Sequence, residues 1–155
     1  MKNYLLLISC SQRKITSEAP LPAIERYDGP VYRCLRKYRD TFGGFPDNLD
    51  ILIISALYRL IECRDLICNY DERMTDQRAA KLLPQVQELL QWYVNYHKYD
   101  QVFINLGKTY MQTLDGFHWG TTPTMEASGG IGLKTQQMKA WLERITSATG
   151  KISDL

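Results

Sequence analysis

The sequence predicts a three-layer α/β domain, with a mostly parallel sheet flanked by helices, and three observations lead there. Three short apolar runs, 3–8 (NYLLLI), 51–55 (ILIIS) and 101–106 (QVFINL), have the length and branching of strands buried on both faces. Helical periodicity follows each run, over 31–42, 75–97 and, in a last helix opened by the stretch 126–134, through Met138, Trp141, Leu142 and Ile145. A chain of 155 residues suits one domain, here 1–155, which buries roughly two-thirds of its unfolded surface. Strands alternating with helices give parallel pairing through right-handed crossovers, so the three runs are expected to be neighbours in one sheet.

The first run stops at Ser9, and Ser9-Cys10-Ser11-Gln12-Arg13-Lys14 follows as a polar, basic loop. Short hydroxyl side chains permit close approach and two cations neutralise charge, so Ser9, Cys10, Ser11, Arg13 and Lys14 are candidate anion ligands. Pro20 and Pro22 oppose regular structure, and Tyr27-Asp28-Gly29-Pro30 is a strong turn signal. A basic amphipathic helix is expected from Val31 to Phe42, with Val31, Leu35 and Tyr38 inward and Arg33, Arg36, Lys37 and Arg39 on or beside the opposite face.

The stretch 50–74 (DILIISALYRLIECRDLICNYDERM) organises the rest. Its apolar run reads as a central strand delivering Ser55 and Tyr58 to its end. The polar, aromatic-bearing excursion beyond, with Tyr70 and Asp71, lies where α/β domains keep their sites. Thr75 is a good N-cap for the longest helix, which runs to about His97 and which Pro84 is expected to bend or break. After the third run, Gly107 and Lys108 occupy a strand-to-helix turn. Glu126 then precedes Gly129, Gly130 and Lys134 at the start of the last helix, where amides and the helix dipole favour an anion. The tail from Thr146 is small and polar and is expected to fray.

Composition excludes several classes. Apolar residues make up 45% and charged residues 23%, the balance of a globular protein. No apolar run reaches the roughly 18 residues of a membrane span and no signal-peptide pattern opens the chain, so no membrane partner and a cytoplasmic location are expected. Four cysteines without a CxxC pair and two isolated histidines predict neither structural zinc nor another metal site, and no cofactor is indicated. The net charge of +2 hides a basic N-terminal quarter, which holds eight Lys or Arg against four Asp or Glu. That excess is compatible with a phosphate-bearing partner.

The segments SCSQRK, YDGPVY, SALYRLI and NYDERM together resemble the family of the peroxide-stress protein YaaA. The resemblance covers mainly 7–14, 27–32 and 55–74, and Arg59 stands where that family's pattern has glycine. It implies an α/β core and a connection with DNA and oxidative damage.

All three predicted strand ends fall on one sheet edge, and their hydroxyls, cations, glycines and tyrosines suit a phosphate plus a flat ring. Two functions are expected from this. One is an enzyme acting on a nucleotide or nucleic-acid base, with phosphate on the Ser9–Lys14 loop and Lys134, a ring near Tyr58 or Tyr70, and Asp71 or Glu126 handling protons. The other is a non-catalytic module that binds nucleic acid or a nucleotide. The sequence leaves reaction and oligomeric state open.

Overall fold

The computed structural model describes residues 1–148. In chain order the elements are β1 (Tyr4–Ser9), β2 (Leu21–Pro22), α1 (Ala23–Arg26), α2 (Pro30–Phe42), β3 (Leu49–Ser55), β4 (Arg59–Glu62) and β5 (Leu66–Ile67). Next come α3 (Asp76–His97), β6 (Gln101–Asn105), α4 (Lys108–Met111) leading into a 3-10 turn (Gln112–Leu114), β7 (Thr124–Glu126) and α5 (Ile131–Ala148). Five strands form the main sheet in the order β4-β3-β1-β6-β7, while β2 and β5 make a small separate ribbon.

The three apolar runs are neighbours. β1 pairs in parallel with β3 (Leu6 opposite Ile51) and with β6 (Leu6 opposite Phe103). β7 continues the parallel set beside β6, and in this sheet β4, folded back on β3 as a hairpin, runs antiparallel. Alternate residues of each strand go to opposite faces. Tyr4, Leu6, Ile8, Ile51, Ile53 and Phe103 pack with Tyr32, Leu35 and Tyr38 of α2 and with Met138, Trp141 and Leu142 of α5. Leu5, Leu7, Leu52, Ile54, Val102 and Ile104 pack with Ala79, Leu82, Val86 and Leu90 of α3.

Local chemistry sets the boundaries. Pro30 opens α2 in its first turn, and Gly43 closes it in the left-handed region at φ 71°. Thr75 caps α3, its hydroxyl accepting from the Arg78 amide at 3.1 Å. Pro84 does not break this helix, which runs unbroken for 22 residues. Proline removes the amide that would bond the Ala80 carbonyl, and both residues are exposed, so that carbonyl is open to solvent.

Two further expectations change. Instead of leading directly into a loop, the central strand turns through Ser55 into β4, and the Ser55 hydroxyl accepts the Leu57 and Tyr58 amides at 3.3 and 3.0 Å. Arg59 completes that turn at φ 72°, a left-handed conformation in which glycine is more at ease. The chain at Thr146 is not frayed: α5 runs to Ala148, Thr146 is buried, and its hydroxyl donates to the Leu142 carbonyl at 2.6 Å and meets the Tyr38 hydroxyl. The rest of the predicted tail, 149–155, lies outside the described residues.

The loop between β1 and β2 is held from within by Arg26, which is fully buried. Its guanidinium donates to the carbonyls of Ile15 (2.7 Å), Ser17 (3.1 Å), Ala19 (2.7 Å) and Ile67 (3.4 Å). No helix among the described residues is long and apolar enough to cross a membrane.

Candidate functional site

β1 and β6 are adjacent, and the chain leaves them in opposite directions across the sheet, towards β3 and towards β7. Their carboxyl ends therefore part and leave a crevice, the place where open parallel sheets bind ligands. A cavity of about 410 Å³ occupies it. Ser9, Cys10, Asn105 and Gly107 come from the strand ends, Gly29 to Tyr32 from the start of α2, and Gly129, Ile131 and Lys134 from the start of α5. A second cavity of about 310 Å³ shares Cys10, Ser11, Gln12, Gly107 and Tyr110 with the first and adds Lys14, Asp71, Arg73 and Lys108. The two form one cleft with Cys10 and Tyr110 between its lobes.

The serines that looked like anion ligands build the cleft. Ser9 Oγ accepts the Gly107 amide at 2.9 Å, tying the ends of β1 and β6 together. Ser11 Oγ accepts the amides of Asp28 (3.1 Å) and Gly29 (3.3 Å) and donates to the Arg13 carbonyl at 2.6 Å. A Cβ on Gly29 would stand 3.0 Å from the Ser11 Cβ, so glycine lets the start of α2 approach this loop. The Tyr32 hydroxyl donates to the Ser9 carbonyl at 2.7 Å and clamps the loop from above.

Asp28 anchors the cations. Arg13, Arg33 and Arg36 approach its carboxylate at 3.4, 3.1 and 2.5 Å. The hydrogen bonds from Arg33 and then Arg36, acting against burial, bring its pKa down to about 2. Arg13 lines the larger cavity from this pairing and remains largely exposed.

On the other side, Lys14 Nζ lies 4.4 Å from the Tyr70 ring centroid and donates to the Gln12 carbonyl at 3.1 Å. Burial lowers the Lys14 pKa, with Cys10 and Asp71 pulling it back up. The Tyr110 hydroxyl lies 2.9 Å from Cys10 Sγ. Burial, and after it the neighbouring Cys10, raises the Tyr110 pKa, and either the phenol or the thiol can donate in this contact.

The tyrosine pair expected to hold a ring does not form a sandwich. Tyr58 and Tyr70 meet edge to face, with centroids 5.4 Å apart and planes at 86°. Tyr70 is tied down instead by Tyr27 at 2.7 Å and Ser55 at 3.0 Å, while the Tyr58 hydroxyl accepts the Cys68 amide at 3.2 Å. Ser55, Tyr58 and Tyr70 line neither lobe. Glu126, exposed on β7, and Gly130 also stand outside both, whereas Gly129 and Lys134 line the larger lobe and Lys108 and Asp71 the smaller. Lys134 Nζ donates to the Leu106 carbonyl at 3.1 Å.

Sequence reasoning missed Asn105 as a site residue. It is 5% exposed, its Nδ2 meets only the Met138 sulfur at 3.7 Å, and its Oδ1 has no hydrogen-bond partner among the described residues. A buried carboxamide with so little protein bonding, lining a cavity, has capacity left for a ligand. The only signal in the sequence is that a polar residue ends the apolar run QVFIN. No cluster of three or more His, Cys, Asp or Glu suited to a metal occurs among the described residues.

A profile of a family of unknown function, DUF6884, matches residues 5–144. No curated protein matches the chain. A crystal structure of AF0587, itself a protein of unknown function, superposes with a TM-score of 0.56 at 13% identity, over 92% of this chain and 45% of that one. The likeness is one of fold, and the chain spans less than half the length of that protein.

Proposed function

The chain belongs to the DUF6884 family of unknown function, and for this member we propose a nucleotide- or nucleobase-binding protein that acts on its ligand as an enzyme. In a three-layer α/β arrangement the crevice where neighbouring strands part is the expected binding place. The observation that carries the proposal is the buried, underused carboxamide of Asn105 lining that crevice. A carboxamide offers donor and acceptor side by side, which matches the edge of a base. The surrounding Val31, Tyr32, Ile131 and Tyr110 supply apolar surface for its faces. The smaller lobe offers Lys14, Arg73 and Lys108 against Asp71 and Glu72 and suits the phosphate. Within this reading proton handling falls to Lys14 and Asp71, which share that lobe. The YaaA-like segments Ser9–Lys14 and Asp71–Met74 border the same cleft, and kinship with that family belongs to the proposal.

Isothermal titration of nucleosides and their 5′-monophosphates tests this. Asn105→Ala should weaken both ligand types about tenfold or more, the effect of leaving one buried polar group unpaired. Lys108→Ala should weaken the monophosphate alone. Full affinity in Asn105→Ala, or no binding by the wild type, refutes the reading. Binding confined to oligonucleotides, with affinity falling steeply as salt rises, would favour a nucleic-acid-binding module instead.

A further inference from the structure

We propose that Cys10 is the nucleophile of the cleft and that its thiolate adds to an electron-poor ring carbon of a bound pyrimidine nucleotide. The proposal rests on the nucleobase reading above. Cys10 leaves the end of β1 with its amide bonded to the Ile54 carbonyl at 3.0 Å, so the residue is fixed while its side chain borders both lobes. Its sulfur lies 2.9 Å from the Tyr110 hydroxyl. Lys14 lines the smaller lobe together with Cys10. A hydroxyl and a cation-bearing lobe beside the sulfur are surroundings in which cysteine nucleophiles act. The Asn105 carboxamide points to a ligand in the adjoining lobe independently of the cysteine.

The other cysteines lack this setting. Burial raises the thiol pKa of Cys34, and that of Cys63 to about 11. Cys68 is exposed and borders neither lobe of the cleft.

With the base against Asn105 and the phosphate in the smaller lobe, the ring edge nearest the sugar lies over the junction where Cys10 stands. In a pyrimidine that edge carries C6, the carbon β to the C4 carbonyl or its amine equivalent. The sulfur lone pair forms a C6–S bond, the C5–C6 π pair moves to C5, and C5 takes a proton from the Lys14 ammonium. No group leaves and no oxidant is needed. Reversal returns the ring, with the C5 hydrogen exchanged for one from solvent.

The test combines two measurements on the full chain. Iodoacetamide labelling followed by peptide mass spectrometry compares alkylation of Cys10 and Cys68, with and without uridine 5′-monophosphate. Proton NMR in deuterated water follows loss of the nucleotide's C5 hydrogen with wild type, Cys10→Ser and Lys14→Met. Cys10 should react about tenfold faster than Cys68 and be protected by the nucleotide. The wild type should exchange the C5 hydrogen, Cys10→Ser should not, and Lys14→Met should slow the exchange. Alkylation of Cys10 no faster than that of Cys68, absence of exchange with wild type, or exchange surviving in Cys10→Ser overturns the proposal. Calorimetry of wild type with the same nucleotide separates the failures. Binding with an inert Cys10 sinks only the nucleophile, whereas no binding sinks the nucleobase reading beneath it.

Discussion

Replacing Arg26 by Met removes the internal brace of the loop that carries Arg13 and Lys14. Three of its hydrogen bonds, to Ile15, Ala19 and Ser17, are 2.7–3.1 Å long and a fourth reaches Ile67 at 3.4 Å. Bonds involving a charged donor contribute about 1.5–3 kcal/mol each, so the three shorter ones represent roughly 5–9 kcal/mol. Two effects oppose this. Arg26 is buried without a carboxylate partner and its Nε has no hydrogen-bond partner, so removing it relieves an unpaired buried charge that costs several kcal/mol. Ile15 and Ala19 are also exposed, so water recovers part of the loss at their carbonyls. The net expectation is a loss of about 3 kcal/mol. With a urea slope of about 2 kcal/mol/M for a domain of this size, the unfolding midpoint falls by about 1.5 M. Tryptophan fluorescence in urea measures it. Arg26→Lys should recover only part of the loss, because one ammonium cannot reach carbonyls arranged for a planar fork. A midpoint unchanged from wild type for Arg26→Met would show that the cage of carbonyls contributes nothing net.

Two further predictions concern the frame of the cleft. Asp28 has a folded pKa of about 2 against an ordinary 3.8, held down first by the Arg33 hydrogen bond. A depressed carboxylate contributes stability that is present above pH 3.8 and is lost as pH falls towards 2, so Tm should drop across that interval and Asp28→Asn should flatten the drop; an identical acid limb in the variant would exclude Asp28 as its source. Arg59 holds φ 72° on an exposed turn. Relief of left-handed strain, about 1–2 kcal/mol, outweighs the added freedom of an unfolded glycine, about 0.4–1 kcal/mol. Arg59→Gly should therefore raise the urea midpoint, and a fall would mean that the Arg59 side chain contributes more than its backbone costs.

The strands were legible because a run such as LLLI or ILII suits a strand buried on both faces of a mostly parallel sheet, whatever its partners are. β7 was not legible, because Thr124 and Glu126 are exposed and Met125 only half-buried, and it is the neighbouring β6 that makes this segment a strand. Arg26 sits in the four-residue helix AIER and reads as surface charge; only the loop folding back over it, seven to eleven residues earlier, makes it a core residue. Asn105 ends an apolar run, and its burial depends on Met138 of α5, 33 residues later. Local pattern carries no information about such distant partners.

The same limit explains which groups of the cleft face a ligand. Serines after a strand suit an anion and suit a loop bonding to itself equally well, and sequence cannot separate the two. Here Ser9 and Ser11 accept backbone amides, and the Gly107 amide, another expected anion donor, is the one Ser9 takes. Lys134 donates a hydrogen bond to the Leu106 carbonyl, and Arg13 is partly neutralised by Asp28. An oxyanion cradle of backbone amides, the arrangement the glycines suggested, therefore lacks one of its donors before any ligand arrives. Among the described residues, groups facing the cavities with little protein bonding include the Asn105 carboxamide, the Cys10 sulfur beside the Tyr110 hydroxyl, and the Lys108, Arg73 and Asp71 side chains of the smaller lobe. That set suits recognition of a polar ring edge and attack by a soft nucleophile better than tight capture of a phosphate. It is why the proposed chemistry is placed on the base, with the phosphate serving to orient it.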